Sequence, residues 1–83
     1  MNRIKFLRFP QVSERTGRTR PSLNYLIQNG LFPRPVKLSM RAAGFPESEI
    51  EAILRAQVRG ASVEEIKGLV CQIHAQRMEA QEC

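Results

Sequence analysis

The chain has 83 residues, 42% hydrophobic and 25% charged, with 13 Lys and Arg against 8 acidic residues and a formal charge of +5. That composition excludes a disordered tail or a fibrous protein, and the length allows one small domain with a modest core, too little for an enzyme built around a deep pocket. Apolar runs of two to four residues fall far short of the ~20 that span a bilayer, so no membrane segment is expected.

The N-terminal Met1-Asn2-Arg3-Ile4-Lys5 is basic with no apolar stretch behind it, and no signal peptide is expected. Lys5-Phe6-Leu7-Arg8-Phe9 suits either a short strand or an extended arm. Pro10 fits the first position of a helix, where its missing N–H forfeits no bond, and Gly17 is a natural stop. Arg18 reads as a turn residue and Thr19 as the N-cap of a second helix carrying Arg20 and Pro21 in its first turn. Leu23, Leu26 and Ile27 form one apolar stripe there, with Pro21, Tyr25 and Gln28 opposite, and Asn29-Gly30 closes the helix. Pro33 and Pro35 forbid helix in the next segment. Residues 36–41 alternate apolar and polar, and with 42–45 they predict a small hairpin whose tip lies near Ser39 to Ala42. Leu23, Leu26, Ile27, Phe32, Val36, Leu38 and Phe45 are expected in the core. Ser48 and Glu51 fit a capping box for a helix with the stripe Ile50, Ile53, Leu54 and Val58, ended by Gly60. Ser62 and Glu65 fit a second box for a last helix with the apolar face Val63, Ile66, Leu69, Val70 and Ile73. The expected fold is therefore mainly α with a small β-hairpin: a winged helix-turn-helix over residues 1–60, with a C-terminal helical extension over 61–83 that packs on the same domain or serves as an interface.

The charge is unevenly placed. Residues 1–41 carry a net +8 and residues 42–83 a net −3. Ten of the cations are arginine, whose planar fork suits phosphate and guanine. The order of short helix, three-residue turn, second helix and hairpin matches a DNA-reading module, since a helix fits a major groove and its first residues reach base edges. A solvated basic face is the plain alternative.

The stretches Phe6-Leu7-Arg8-Phe9-Pro10-Gln11-Val12, Thr16-Gly17, Gly30-Leu31-Phe32-Pro33-Arg34-Pro35-Val36-Lys37-Leu38 and Arg41-Ala42-Ala43-Gly44-Phe45 resemble the AlpA-like prophage regulators, small proteins of the MerR-like and excisionase-like winged-helix group. The resemblance covers about Phe6 to Leu54 and is most specific at the Phe32 to Leu38 segment. It implies a DNA-binding transcription regulator of prophage or mobile-element origin. Thr19, Arg20, Ser22 and Leu23 fit the usual start of the family's recognition helix. Asn24 stands where an aromatic residue is usual and Tyr25 where a basic one is, a departure that concerns which sequence is read rather than the fold.

The candidate DNA contacts are Arg18, Thr19, Arg20, Ser22, Asn24, Tyr25 and Gln28 around the second helix, with Lys37 and Arg41 on the hairpin. Arg18 and Lys37 suit phosphate, whereas Asn24 or Gln28 suits adenine. Double-stranded DNA is the expected partner, bound by a homodimer or by tandem copies, with no membrane or small-molecule substrate. Cys71 and His74 share a helix face, but two ligands make no zinc site. No cofactor and no metal are expected. With no Asp and no nucleophile beside a base, neither is catalysis. Cys71 and Cys83 form no disulfide framework, so a reducing cytoplasm is the expected compartment, and the resemblance to prophage regulators implies a bacterial one, in association with the nucleoid. Two alternatives remain: an excisionase-like recombination directionality factor, and a protein-interaction module using the C-terminal helices.

Overall fold

The computed structural model describes residues 5–81, with side chains as far as Arg77. In chain order the elements are β1 (Phe6–Leu7), α1 (Phe9–Thr16), α2 (Arg20–Gln28), β2 (Val36–Ser39), β3 (Ala42–Pro46), α3 (Glu47–Val58) and α4 (Val63–Gln81). Helices dominate, and the three strands form one antiparallel sheet in the order β1-β3-β2. The segment that suited either strand or arm is thus a strand. Phe6 lies opposite Pro46 and Leu7 opposite Phe45, and the Glu47 N–H donates to the Lys5 carbonyl at 2.7 Å.

The hairpin turns at Met40 and Arg41, as its alternation predicts. Its register is broken once: Lys37 faces Ala43 and Ser39 faces Ala42, which leaves Leu38 as a bulge residue. A bulge interrupts the period-two alternation that would have taken Leu38 inward. Leu38 is consequently 39% exposed, a correction to its expected core position, and Val36 is only half-buried. Leu38 lies instead over Gly44. A Cβ at Gly44 would sit 3.1 Å from Leu38 Cδ1, 3.2 Å from the Leu7 carbonyl oxygen and 3.3 Å from Phe6 Cβ. One of these neighbours is backbone of the adjoining strand and has little freedom to retreat. Gly44→Val is therefore expected to destabilise the fold by about 1–3 kcal/mol through overpacking, read as a lower urea midpoint; an unchanged midpoint would show that the sheet can open there.

Phe45, on the central strand, is fully buried and anchors the first half of the core. Its ring meets Phe9 at 5.1 Å and Phe32 at 5.7 Å between centroids, with interplanar angles of 85° and 68°. These are the edge-to-face arrangements that aromatic quadrupoles favour. Leu7, Val12 and Leu23 complete this half, with Leu26 and Ile27 partly buried against it. The second half joins Ile50, Ile53 and Ala56 of α3 to Ile66, Val70 and Ile73 of α4.

Two details of α3 differ from the sequence expectation. The helix begins at Glu47, directly out of β3, with Pro46 at the N-cap and no side-chain cap from Ser48. Strand pairing to Lys5 occupies the Glu47 N–H, so the sheet, not a serine, ends the coil. Val58, expected on the stripe, is 87% exposed, and Ala56 takes the buried place one turn after Ile53. The box at α4 forms as expected: the Ser62 N–H donates to the Glu65 carboxylate at 2.7 Å, and the Glu65 N–H donates to Ser62 Oγ at 3.2 Å. Of the α4 stripe, Ile66, Val70 and Ile73 are buried, Leu69 is half-buried and Val63 is exposed. Most of the apolar surface that an interface would need is already used inside the molecule.

Candidate nucleic-acid interface

The turn between α1 and α2 is fixed by local chemistry. Gly17 ends α1 at φ +71°, a left-handed conformation that side chains disfavour, and its N–H donates to the Ser13 carbonyl at 2.9 Å. The Ser13 hydroxyl donates to the Arg18 carbonyl, and the Thr16 hydroxyl donates to the Val12 carbonyl at 2.8 Å. Thr19 then caps α2, its hydroxyl oxygen accepting the Ser22 N–H at 3.3 Å. The start of α2 is thereby set at a defined angle to α1.

At that start the chain builds a groove of about 540 Å³ whose lining includes Arg8, Phe9, Arg20, Lys37, Met40 and Arg41. Three elements and a turn supply its cations. Arg8 is the N-cap residue of α1, Arg20 opens α2, Lys37 lies on β2 and Arg41 sits in the hairpin turn. No acidic residue lines the groove. Its four cations have no carboxylate within 4.0 Å among the described residues, whereas Arg15 and Arg77 do. Arg15 reaches Glu47 at 2.5 Å and Glu51 at 4.0 Å, and Arg77 reaches Glu49 at 2.5 Å. Glutamates of the second half thus engage two cations outside the groove, Arg15 and Arg77, and none of the four inside it. The Arg20 guanidinium carbon stands 4.2 Å from the Phe9 ring centroid, a cation–π contact that holds the side chain at the groove wall.

Of the residues singled out in the sequence, the structure brings Arg20, Lys37 and Arg41 to one groove. Asn24, Tyr25 and Gln28 lie along α2 but do not line it, and Tyr25 is 65% exposed. Thr19 is engaged in capping α2. Sequence reasoning missed Arg8 and Met40. The signal for Arg8 was present: a helix opened by Pro10 places Arg8 at its mouth, just as Pro21 follows Arg20. Met40 lies at the expected hairpin tip, 91% exposed, but carries no charge or hydrogen-bonding group that would single it out in the sequence.

Cys71 is exposed, and its neighbour His74 is engaged elsewhere, its Nε2 accepting the Arg34 N–H at 3.2 Å. Among the described residues no three metal-ligating side chains of the His, Cys, Asp or Glu type gather. Partial burial, then the charges of Arg34 and Arg77, hold the His74 pKa below its usual 6.5, with Glu49 opposing. The unfolded chain therefore takes up a proton near pH 6.5 that the folded chain still refuses. Stability from this group is present above that pH and declines as the pH falls from it toward the lowered folded value. Urea midpoints measured from about pH 8 to 5 should decline on the acid side, and His74→Gln should remove that share of the decline. An identical profile in the variant would assign the decline to the carboxylates.

A helix, a three-residue turn, a second helix and a hairpin beside that helix's start make a mainly α fold with a small antiparallel sheet, like that of winged helix-turn-helix proteins. Residues 5–58 match the family model described as prophage CP4-57 regulatory protein (AlpA), and the chain belongs to that family, a family of prophage regulators. Neither curated proteins nor solved structures give a match. Helix α4 lies beyond the matched residues. Among the described residues no helix is long and apolar enough to cross a membrane.

Proposed function

We propose that this chain is a sequence-specific DNA-binding transcription regulator of prophage or mobile-element origin. The observation that carries the reading is the groove in which Arg8, Arg20, Lys37 and Arg41 converge with no carboxylate among them. Four unpaired cations from two helix starts and a hairpin form a surface for a polyanion with a regular phosphate spacing. In this reading α2 enters the major groove. Asn24, Tyr25 and Gln28 face base edges, Arg20 lies at the groove margin, and Lys37 and Arg41 hold the flanking backbone. Arg18 and Thr19 lie beside the phosphates at the start of α2, and Ser22 supports that turn. In this reading the segment from Val63 to Arg77 works as part of the same unit, which the burial of Ile66, Val70 and Ile73 in the core supports.

The test is selection of bound duplexes from a random DNA pool, followed by affinity measurements over a salt series. A preferred sequence whose binding weakens steeply with salt is expected. Absence of salt-sensitive DNA affinity at about 100 mM salt would refute the reading.

A further inference from the structure

The hairpin wing is joined to α2 by a segment whose Phe32 and Pro33 side chains are buried in the core, but whose backbone offers few hydrogen bonds. Pro33 and Pro35 have no N–H to donate, and Pro35 restricts Arg34 to extended backbone. The Arg34 N–H is therefore the only backbone donor between residues 33 and 35. Both main-chain groups of Arg34 are taken by α4. The Arg34 N–H donates to His74 Nε2 at 3.2 Å, and the Arg34 carbonyl accepts from Arg77 Nη2 at 2.7 Å. Arg77 is itself fixed, its Nε donating to Glu49 Oε2 at 3.0 Å and its Nη2 to Glu49 Oε1 at 2.5 Å. One planar guanidinium thus ties α4, α3 and the root of the wing together, a geometry that lysine cannot reproduce. Lys37 and Arg41 follow Arg34 closely in the chain, on the strand and turn that it leads into.

We infer that α4 is a strut for the wing, and that His74 and Arg77 are positioning residues for DNA contact by Lys37 and Arg41 through the Arg34 backbone. The inference rests on the DNA-reading proposal for its functional consequence, and it assigns a role to the helix beyond the family match. It also gives a reason for arginine at position 77: three elements are engaged at once, with a distance set by a rigid fork.

The experiment compares the full chain with His74→Phe, His74→Gln, Arg77→Leu and Arg77→Lys. Each is measured for thermal melting, for amide hydrogen exchange, and for affinity toward a duplex selected by the wild type over a salt series. His74→Phe and Arg77→Leu, still folded at the assay temperature, are expected to bind roughly tenfold more weakly. Their salt slopes should flatten by about 1 for each phosphate that the wing no longer reaches. Exchange should quicken over residues 36–45 more than elsewhere. His74→Gln keeps an acceptor for the Arg34 N–H and should recover most of the binding, whereas Arg77→Lys should not. Folded variants with unchanged affinity, slope and wing exchange would overturn the inference, as would losses that merely follow global unfolding. If the wild type binds no DNA, the DNA reading fails by itself. The exchange pattern then decides the strut: faster exchange confined to residues 36–45 supports it, and unchanged exchange overturns it.

Discussion

Phe45→Ala is expected to lower stability by about 3–5 kcal/mol, the range for removing a fully buried phenylalanine. A chain of this length holds about 4–12 kcal/mol in total, so the variant loses a large share of its stability and is largely unfolded if the wild type lies at the lower end of that range. The size of the effect follows from position. Phe45 lies on the central strand, and its ring touches both Phe9 and Phe32 edge-to-face. Its loss opens a cavity at the point where the sheet, α1 and the segment after α2 meet, and the fixed strand pairing allows little collapse into it. Because Phe9 also carries Arg20 on its ring face, the damage should reach the groove. Urea unfolding followed by circular dichroism checks this. A variant retaining the wild-type midpoint would show that the two remaining rings can repack alone.

The second large effect is on nucleic-acid affinity. If each of Arg8, Arg20, Lys37 and Arg41 neutralises one phosphate, the logarithm of the binding constant should fall with the logarithm of salt at a slope of about −3.6. Between about 50 and 200 mM salt that is a loss of about 150-fold. Arg41→Ala should flatten the slope by about 1 and weaken binding to all sequences alike. Arg20→Ala separates two roles: a cost of about 1–3 kcal/mol confined to one base position marks base reading, whereas a uniform loss with a flatter slope marks phosphate contact. Arg15→Ala is the internal control. Its guanidinium is engaged by Glu47 and Glu51, so the slope should stay as in the wild type. Fluorescence anisotropy on a selected duplex decides the matter, and an Arg15→Ala effect equal to that of Arg41→Ala would remove the groove from the account.

Much of this architecture is legible in the sequence because it depends on neighbours in the chain. Pro10 and Gly17 bound α1, Thr19 and Asn29-Gly30 bound α2, and Ser62 with Glu65 opens α4, each through steric or hydrogen-bonding effects spanning only a few residues. The hairpin follows from alternation and the two prolines before it. The family resemblance quoted from Phe6 onward is matched by the family model over residues 5–58. The site is legible in part: helix starts and the hairpin single out Arg20, Lys37 and Arg41, and these line one groove with Arg8.

The misreadings share a cause. A strict period of two turns Leu38 inward, and a bulge, which depends on the partner strand, breaks that period. Spacing alone makes Ser48 a cap, yet the carbonyl of Lys5, far away in sequence, claims the first N–H of α3. Apolarity alone puts Val58 on the buried stripe, although the surface facing α4 ends near Ala56.

From the sequence by itself came the bounds of α1, α2 and the hairpin, the start of α4, the family and the concentration of positive charge in residues 1–41, since these follow from short-range sterics, residue order and counting. Only the tertiary structure decided which cations remain free and which element holds the wing. Arg15 meets Glu47 across 32 positions, Arg77 meets Glu49 across 28, and Arg77 reaches Arg34 across 43. No local period encodes such pairings, because they arise when packing of the shared core brings the elements within hydrogen-bonding distance.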